Sequence, residues 1–549
     1  MAGSSPKQQQ EQAMLILIGM AVVAIGLAAI VAWGCAMVAA WVHTGHLPQL
    51  GIGEAIRASV SREFWSADPA SAYPRDVQRL LPGGWGFWTT AALLFVLLVA
   101  TFLAAVREIA DRMAQTVADR RWYHIFLGRR PQAFGRYRTV KSALVVDGPS
   151  PDRVIVGTIA NPPALLAVQR HAQICAIAAP HSGTTTGLIV PAVLEHAGPV
   201  VTTATNGDVV RATLQQRQRL GDTFVWDPFG EFTDAWDPLL GCEDWSHALM
   251  VARWLGHALA FGENESTEYY DEAAQELSAP LLHAAALAPG RTIVDAYRWV
   301  RDRNVEAPAQ ILTEAGAEDA RARLLGVYAF NERRRDAIIG AVQFQLKAYG
   351  HPAVQRTARR GQGIRPEDLF DGRANTVYIV AGREHQRLLA PLVVTMLSSL
   401  VYYATQYENR ERRRIAPPAL LALDETAQIA PLQELPQILS IGHDIGIRFV
   451  SVWHSLAQMR ERYGGDAAAE ILAMSQAKVF LGSITDDGTR RELLRLLGKG
   501  GDEDDGATAQ ALQRLRAGEG LLIHNGLPPV FFTERRGVEE LEPAQAAIV

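Results

Sequence analysis

Two long stretches without a charged side chain decide most of what this chain can become. Residues 14–42 run for about 29 positions and residues 85–106 for about 22. A helix rising 1.5 Å per residue crosses the hydrocarbon core in roughly 20 residues, so both are expected to span a bilayer. The first is too long for the apolar region of a cleaved signal peptide, and only Lys7 stands among the glutamines before it. Basic residues set the orientation. The loop 43–84 balances four arginines against four acids, whereas nine positive charges follow the second span, from Arg107 to Lys141. The positive-inside rule puts that side, and the short N-terminus, in the cytoplasm. The expected product is a multi-pass inner-membrane protein: an anchor over 1–106, a basic juxtamembrane linker over 107–164, and a cytoplasmic body beyond.

Composition limits that body. With 48% hydrophobic and 20% charged residues, the chain is neither disordered nor fibrous. A net charge of −5 argues against a generic basic nucleic-acid binder. The three cysteines, Cys35, Cys175 and Cys242, are far apart, which excludes a disulfide framework or a zinc site built from them.

From about residue 165, short apolar runs alternate with helical periods. The runs are 174–179, 200–205, 223–226, 376–380, 419–423, 447–453 and 478–482. Continuous apolar strands separated by helices predict an α/β fold with a parallel-rich sheet covered on both faces. Residues 241–358 carry helical periods and no strand pattern. They are expected to form an all-helical insertion, leaving 165–240 and 359–549 as the α/β domain.

Two motifs fall on the expected sheet. The run 174–179 leads through His181, Ser182, Gly183, Thr184, Thr185, Thr186 and Gly187 into a helix. A strand, a small-residue turn and a helix start form an anion cradle, and a threonine hydroxyl there suits phosphate-bound Mg²⁺. The run 419–423 delivers Asp424 and Glu425 to the C-terminal edge of the sheet, where open α/β sheets bind ligands. Asp424 is the expected Mg²⁺ ligand and Glu425 the expected base for an attacking water. Taken alone, a Gly/Thr turn is common for conformational reasons, and an Asp-Glu pair often caps a helix. In this order, with strands between them, the two are far more specific.

With these motifs in place the chain resembles the TraG/TraD-like coupling proteins of conjugation and type IV secretion, membrane-anchored hexameric RecA-like P-loop ATPases. The resemblance covers most of the chain. Residues 424–432 resemble the family's Walker B segment and the helix after it. Ser455-Leu456-Ala457-Gln458 resembles its glutamine motif, and Ile484-Thr485-Asp486 with Thr489 a further signature. Residues 236–239 and 281–286 match in style. The resemblance implies ATP and Mg²⁺ as cofactors, Thr185 with Asp424 on the metal, Glu425 as base and Gln458 as γ-phosphate sensor. It further implies a homo-hexamer, alone or with a paralogue, that receives relaxase-bound single-stranded DNA or protein substrates and hands them to a type IV secretion channel.

Three positions depart from the family pattern. Its phosphate-binding lysine falls on Thr184, a second lysine on Asn206, and the first glutamine of the glutamine motif on His454. An ammonium at position 184 would offset charge on the β- and γ-phosphates. Two readings follow: a coupling ATPase, or a non-hydrolysing scaffold descended from one.

Overall fold

A computed structural model describes residues 33–93 and 137–535, apart from 151–152, 161–162, 181, 232, 258–264 and 498–514. The chain divides into two compact units, 1–122 and 123–549. In the first, 33–44 and 84–93 are helical; the rest of the two expected spans, 14–32 and 94–106, lies outside the described residues. The intervening segment forms a small core of its own. Phe64 meets Tyr73, Phe87 and Trp88 edge-on at centroid distances of 6.1, 5.9 and 6.0 Å. Such T-shaped contacts set the positive edge of one ring against the negative face of another.

The second unit is built on one twelve-stranded sheet. In chain order the strands are β1 (Val145–Val146), β2 (Ile155–Ala160), β3 (Pro163–Ala167), β4 (Ile174–Ala178), β5 (Val200–Ala204), β6 (Thr223–Trp226), β7 (Thr376–Val380), β8 (Ala419–Leu423), β9 (Ile447–Trp453), β10 (Ala477–Leu481), β11 (Glu519–His524) and β12 (Val530–Thr533). Their spatial order is β1-β3-β2-β12-β11-β10-β4-β9-β8-β5-β7-β6. The run β10-β4-β9-β8-β5-β7-β6 is parallel throughout. These are the seven apolar runs of the sequence, each within a residue or so of its expected bounds. Strands β4, β5, β7, β8, β9 and β10 are buried along their whole length, as a sheet covered on both faces requires.

The other five strands extend the sheet antiparallel beyond β10. Sequence periodicity starts the body near 165. The sheet instead begins at Val145, within the expected linker, preceded by the helix Tyr137–Leu144. From β4 the chain crosses to β5 on one side, while from β10 it turns to β11 on the other. Neighbouring strands whose connections diverge open a crevice at their C-terminal ends, and ligands enter α/β sheets there.

Between β6 and β7 the described residues form helices joined by loops and contain no strand. Helices Trp245–His257, Glu265–Leu287, Ile293–Arg301, Glu306–Glu314, Glu318–Tyr328 and Glu332–Gln345 pack around the second of these. Among the described residues, helix Gln386–Glu411 alone is long and apolar enough to cross a membrane, and it is mostly buried, packed against helices Trp245–His257, Thr426–Ile429 and Leu435–Ile445.

Beneath the first crossover, the buried Arg217 ties the sheet to the helix that leads away from β4. Its guanidinium donates to Thr376 Oγ1 (2.8 Å) and to the carbonyls of Val193, His196, Gly198 and Ala374 (3.4, 2.5, 2.8 and 2.8 Å). The adjacent His196 is buried, and its Nε2 hydrogen-bonds the Pro418 carbonyl at 2.7 Å, so the neutral ring is the donor. Burial, with Arg448 and Arg217 nearby, pushes its pKa down to about 3. The unfolded chain therefore binds the extra proton first. Stability present above the unfolded value near 6.5 is lost as pH falls from there toward 3. Between pH 7 and pH 5 this one group is expected to remove about 2 kcal/mol. Urea denaturation at the two pH values, with and without His196→Gln, measures it.

Candidate nucleotide site

Strand β4 ends at Ala178, and the chain turns through Ser182 and Gly183 into the helical stretch at Thr185. Gly183 has φ +99°, a left-handed conformation in which a side chain would be strained. The turn is closed by its own bonds: Gly187 N donates to Gly183 O at 2.7 Å, Thr186 Oγ1 donates to the same carbonyl at 3.1 Å, and the Ser182 and Thr184 hydroxyls lie 3.1 Å apart. His181 lies outside the described residues. A helix start presents the positive end of its dipole to an anion.

The carboxylates arrive from β8. Thr185 Oγ1 donates to Asp424 Oδ2 at 2.7 Å, joining the two expected metal ligands across 239 positions of sequence. Two such oxygens side by side fit Mg²⁺, a hard cation that takes one or two protein oxygens and completes its shell with water and phosphate. No cluster of three or more His, Cys, Asp or Glu occurs among the described residues, so a zinc-type cage is absent there. Asp424 is buried, and that burial raises its pKa above the ordinary carboxylate value, opposed by the Thr185 hydrogen bond. A divalent cation beside it would act in the opposite direction and favour the ionised carboxylate.

Glu425 has φ 52° and ψ 45°, left-handed for a non-glycine residue. Such strain of roughly 1–3 kcal/mol is held by surrounding structure and recurs at functional sites. Its carboxylate faces the end of β9, where His454 Nε2 lies 3.0 Å from Oε2. That hydrogen bond lowers the Glu425 pKa and raises that of His454.

Gln458, the expected sensor, is used otherwise in this state. Ser455 is the N-cap of helix Leu456–Met474, and its Oγ accepts from Gln458 N at 3.1 Å. The Gln458 Oε1 accepts from His454 N at 3.0 Å. Ser455-x-x-Gln458 thus works as a capping motif, a signature legible in the sequence, and it is His454 that meets Glu425. At the second departure, Asn206 Oδ1 accepts from Asp208 N at 3.1 Å at the start of helix Asp208–Leu220. Arg211 pairs with Asp208 on an exposed face.

One wall of the site had no signal in the sequence. Glu534, just past β12, is buried against the phosphate turn. A Cβ added at Gly183 would meet its Oε2 at 2.7 Å, and one at Gly187 would meet its Cδ and Oε2 at 2.9 Å. The next residue, Arg535, forms a buried ion pair with Glu195. The two glycines are therefore required where the turn is approached by this side chain, and any larger residue would displace it.

The same architecture recurs among solved structures. The bacterial conjugative coupling protein TrwBdeltaN70, in a trigonal form with sulphate, superposes with a TM-score of 0.52 at 17% identity, over 73% of this chain and 95% of that one. The plasmid coupling protein TrwB in complex with ADP and Mg²⁺ gives 0.51 at 16% identity, over 66% and 85%. Identities this low establish a shared fold. No curated protein sequence matches the chain. The family model described as "Type IV secretory system Conjugative DNA transfer" matches residues 135–515, from ahead of the first strand to beyond β10 and so through both motifs. By that match the chain belongs to the conjugative DNA transfer family of type IV secretory systems, TraG/TraD-like coupling proteins of the P-loop ATPase kind.

Proposed function

We propose that this protein is an inner-membrane coupling protein. It binds ATP with Mg²⁺ at the turn 182–187 and couples the nucleotide cycle to passage of relaxase-bound DNA, or of a protein substrate, into a type IV secretion channel. The observation that carries the nucleotide reading is the Thr185–Asp424 bond at 2.7 Å, which unites a phosphate-type turn with an acid-bearing strand end. The TrwB complex with ADP and Mg²⁺ supports the same cofactors for this chain. The roles are Thr185 and Asp424 as metal ligands, the turn as phosphate cradle, and Glu425 as base. Mg²⁺ held by Thr185 and Asp424 would offset charge on the phosphates. Glu425, a carboxylate kept mostly out of solvent, would accept the proton of the attacking water. Gln458 takes up its sensor role only by leaving the cap at His454 N. The two uncharged stretches and the arginine-rich segment after them support membrane anchoring with the body inside, and the family supports a hexamer with the site between subunits.

Thr184 favours a second reading, a non-hydrolysing scaffold that assembles with an active paralogue. Two substitutions separate them. Glu425→Gln is expected to retain Mg·ATP affinity and lose turnover by about 10²-fold or more, while Asp424→Ala loses the Mg²⁺ dependence of binding. Isothermal titration and phosphate release measure both. Native turnover that survives Glu425→Gln would sink the assignment of the base.

A further inference from the structure

The end of the apolar stretch 14–42 is partly covered by protein. On helix 33–44, Cys35, Ala36, Ala39 and Ala40 are buried in one core with Phe64 and Phe87. The chain reverses at Gly45 (φ +73°), whose N–H donates to Trp41 O at 2.9 Å. It then returns until Leu50 O accepts from Trp33 Nε1 at 2.9 Å. Five residues of extended chain reach about 16 Å, the same as the helical rise from residue 33 to residue 44. Leu50 therefore lies level with Trp33, and beside it Gly51 N donates to the exposed Glu54 carboxylate at 3.1 Å. A crossing that ran to residue 42 would place Trp33 about 13 Å inside the hydrocarbon. Leu50, the extended backbone before it and the Glu54 carboxylate would be carried in with it, where lipid offers neither hydrogen bonds nor hydration.

Helix 84–93 marks a matching level. Phe87 is fully buried in the same core, and Trp88 Nε1 donates to Ser66 O at 3.4 Å. The Trp65 ring lies 6.3 Å from that of Trp88, and Trp65 and Trp85 are 66% and 89% exposed. Indoles join an apolar ring to an N–H donor and collect at the lipid–water boundary. Inward of Trp33 and Trp88 the sequence keeps two uncharged stretches, 14–32 and 89–106. As helices they reach about 28 and 27 Å, against a hydrocarbon core of roughly 30 Å.

We propose that residues 33–88 are a folded extracytoplasmic module seated on the outer leaflet of the bilayer. Trp33, Trp65, Trp85 and Trp88 lie at the lipid–water boundary, and the first crossing is complete by residue 32. This rests on the membrane reading given under the proposed function and deepens it. Continuity with both crossings makes lipid the occupant of the exposed faces of Trp65 and Trp85. Trp41, 58% exposed, stands about 12 Å further out along its helix, in water.

The test uses the full-length chain in a Cys35→Ala background, reconstituted in vesicles of phosphatidylethanolamine and phosphatidylglycerol. Leu27→Cys, Val38→Cys, Trp41→Cys, Gln49→Cys, Trp65→Cys and Trp85→Cys each carry a nitroxide; the native Cys175 and Cys242 are buried. Collisions of the label with oxygen and with a water-soluble nickel chelate report its depth. Nickel accessibility at 38 and 41 is expected to match that at 49 and to exceed that at 27 about ten-fold. Positions 65 and 85 should read between the two extremes. Labels at 38 and 41 as shielded as the one at 27 overturn the placement of helix 33–44 outside the bilayer. Labels at 65 and 85 as accessible as the one at 49 overturn the seating on lipid and leave those faces to a protein partner. Free access of the chelate to position 27 overturns the membrane reading itself, and this proposal with it.

Discussion

The Thr184→Lys variant is expected to hydrolyse ATP roughly 10²–10³-fold faster than the native chain, about 3–4 kcal/mol of transition-state stabilisation. The reasoning is electrostatic. The site gathers Asp424, Glu425 and Glu534 around a turn that must receive a polyphosphate, and position 184 contributes a hydroxyl engaged with Ser182 at 3.1 Å. An ammonium there offsets charge as it develops on the β- and γ-phosphates, whereas a hydroxyl offers one dipole. Affinity should rise as well, since the same cation acts on the bound ground state. Steady-state phosphate release on paired preparations is sufficient. A lysine that leaves the rate unchanged would mean that another residue already supplies the charge.

The second large effect concerns stability. Arg217→Met is expected to cost about 4 kcal/mol, read from urea denaturation of the unit 123–549. Arg217 is fully buried and has no carboxylate partner among the described residues; its charge is balanced by four carbonyls and a threonine hydroxyl. Two of those carbonyls, Val193 and His196, belong to the C-terminal end of the helix that begins at the phosphate turn, where the helix dipole favours a cation. Methionine fills much of the volume but strands several acceptors, each costing about 1–3 kcal/mol if water cannot reach them. Burial already draws the Arg217 pKa down to about 10, the mark of a charge held by geometry against its desolvation. A loss below about 1 kcal/mol would mean that water enters and satisfies the carbonyls.

What the sequence discloses and what it hides follow one division. Six of the seven parallel strands are buried along their whole length and read as largely apolar runs, as in 419–423, while β6 at the edge is only partly buried. The antiparallel extension is not legible in this way. Strand β2 contains Gly157 and a register shift between Ile155 and Gly157, and β3 opens on Pro163, so neither presents a clean period. In the site, Asp424 and the turn are legible because strand ends and glycine turns have local signatures. The pairing of His454 with Glu425 is not, because it depends on the adjacency of β8 and β9 rather than on spacing along the chain. Gln458 shows the reverse hazard: a residue in a family motif has a sufficient local reason, helix capping, for its place.

The position of Glu534 bears on when this protein becomes competent. The wall behind the phosphate turn comes from the far end of β12, some 350 residues after Gly183. During synthesis the turn, the helical insertion and both acids emerge from the ribosome well before that wall exists. A chain that stops short of Glu534 therefore carries the turn without the side chain that backs it.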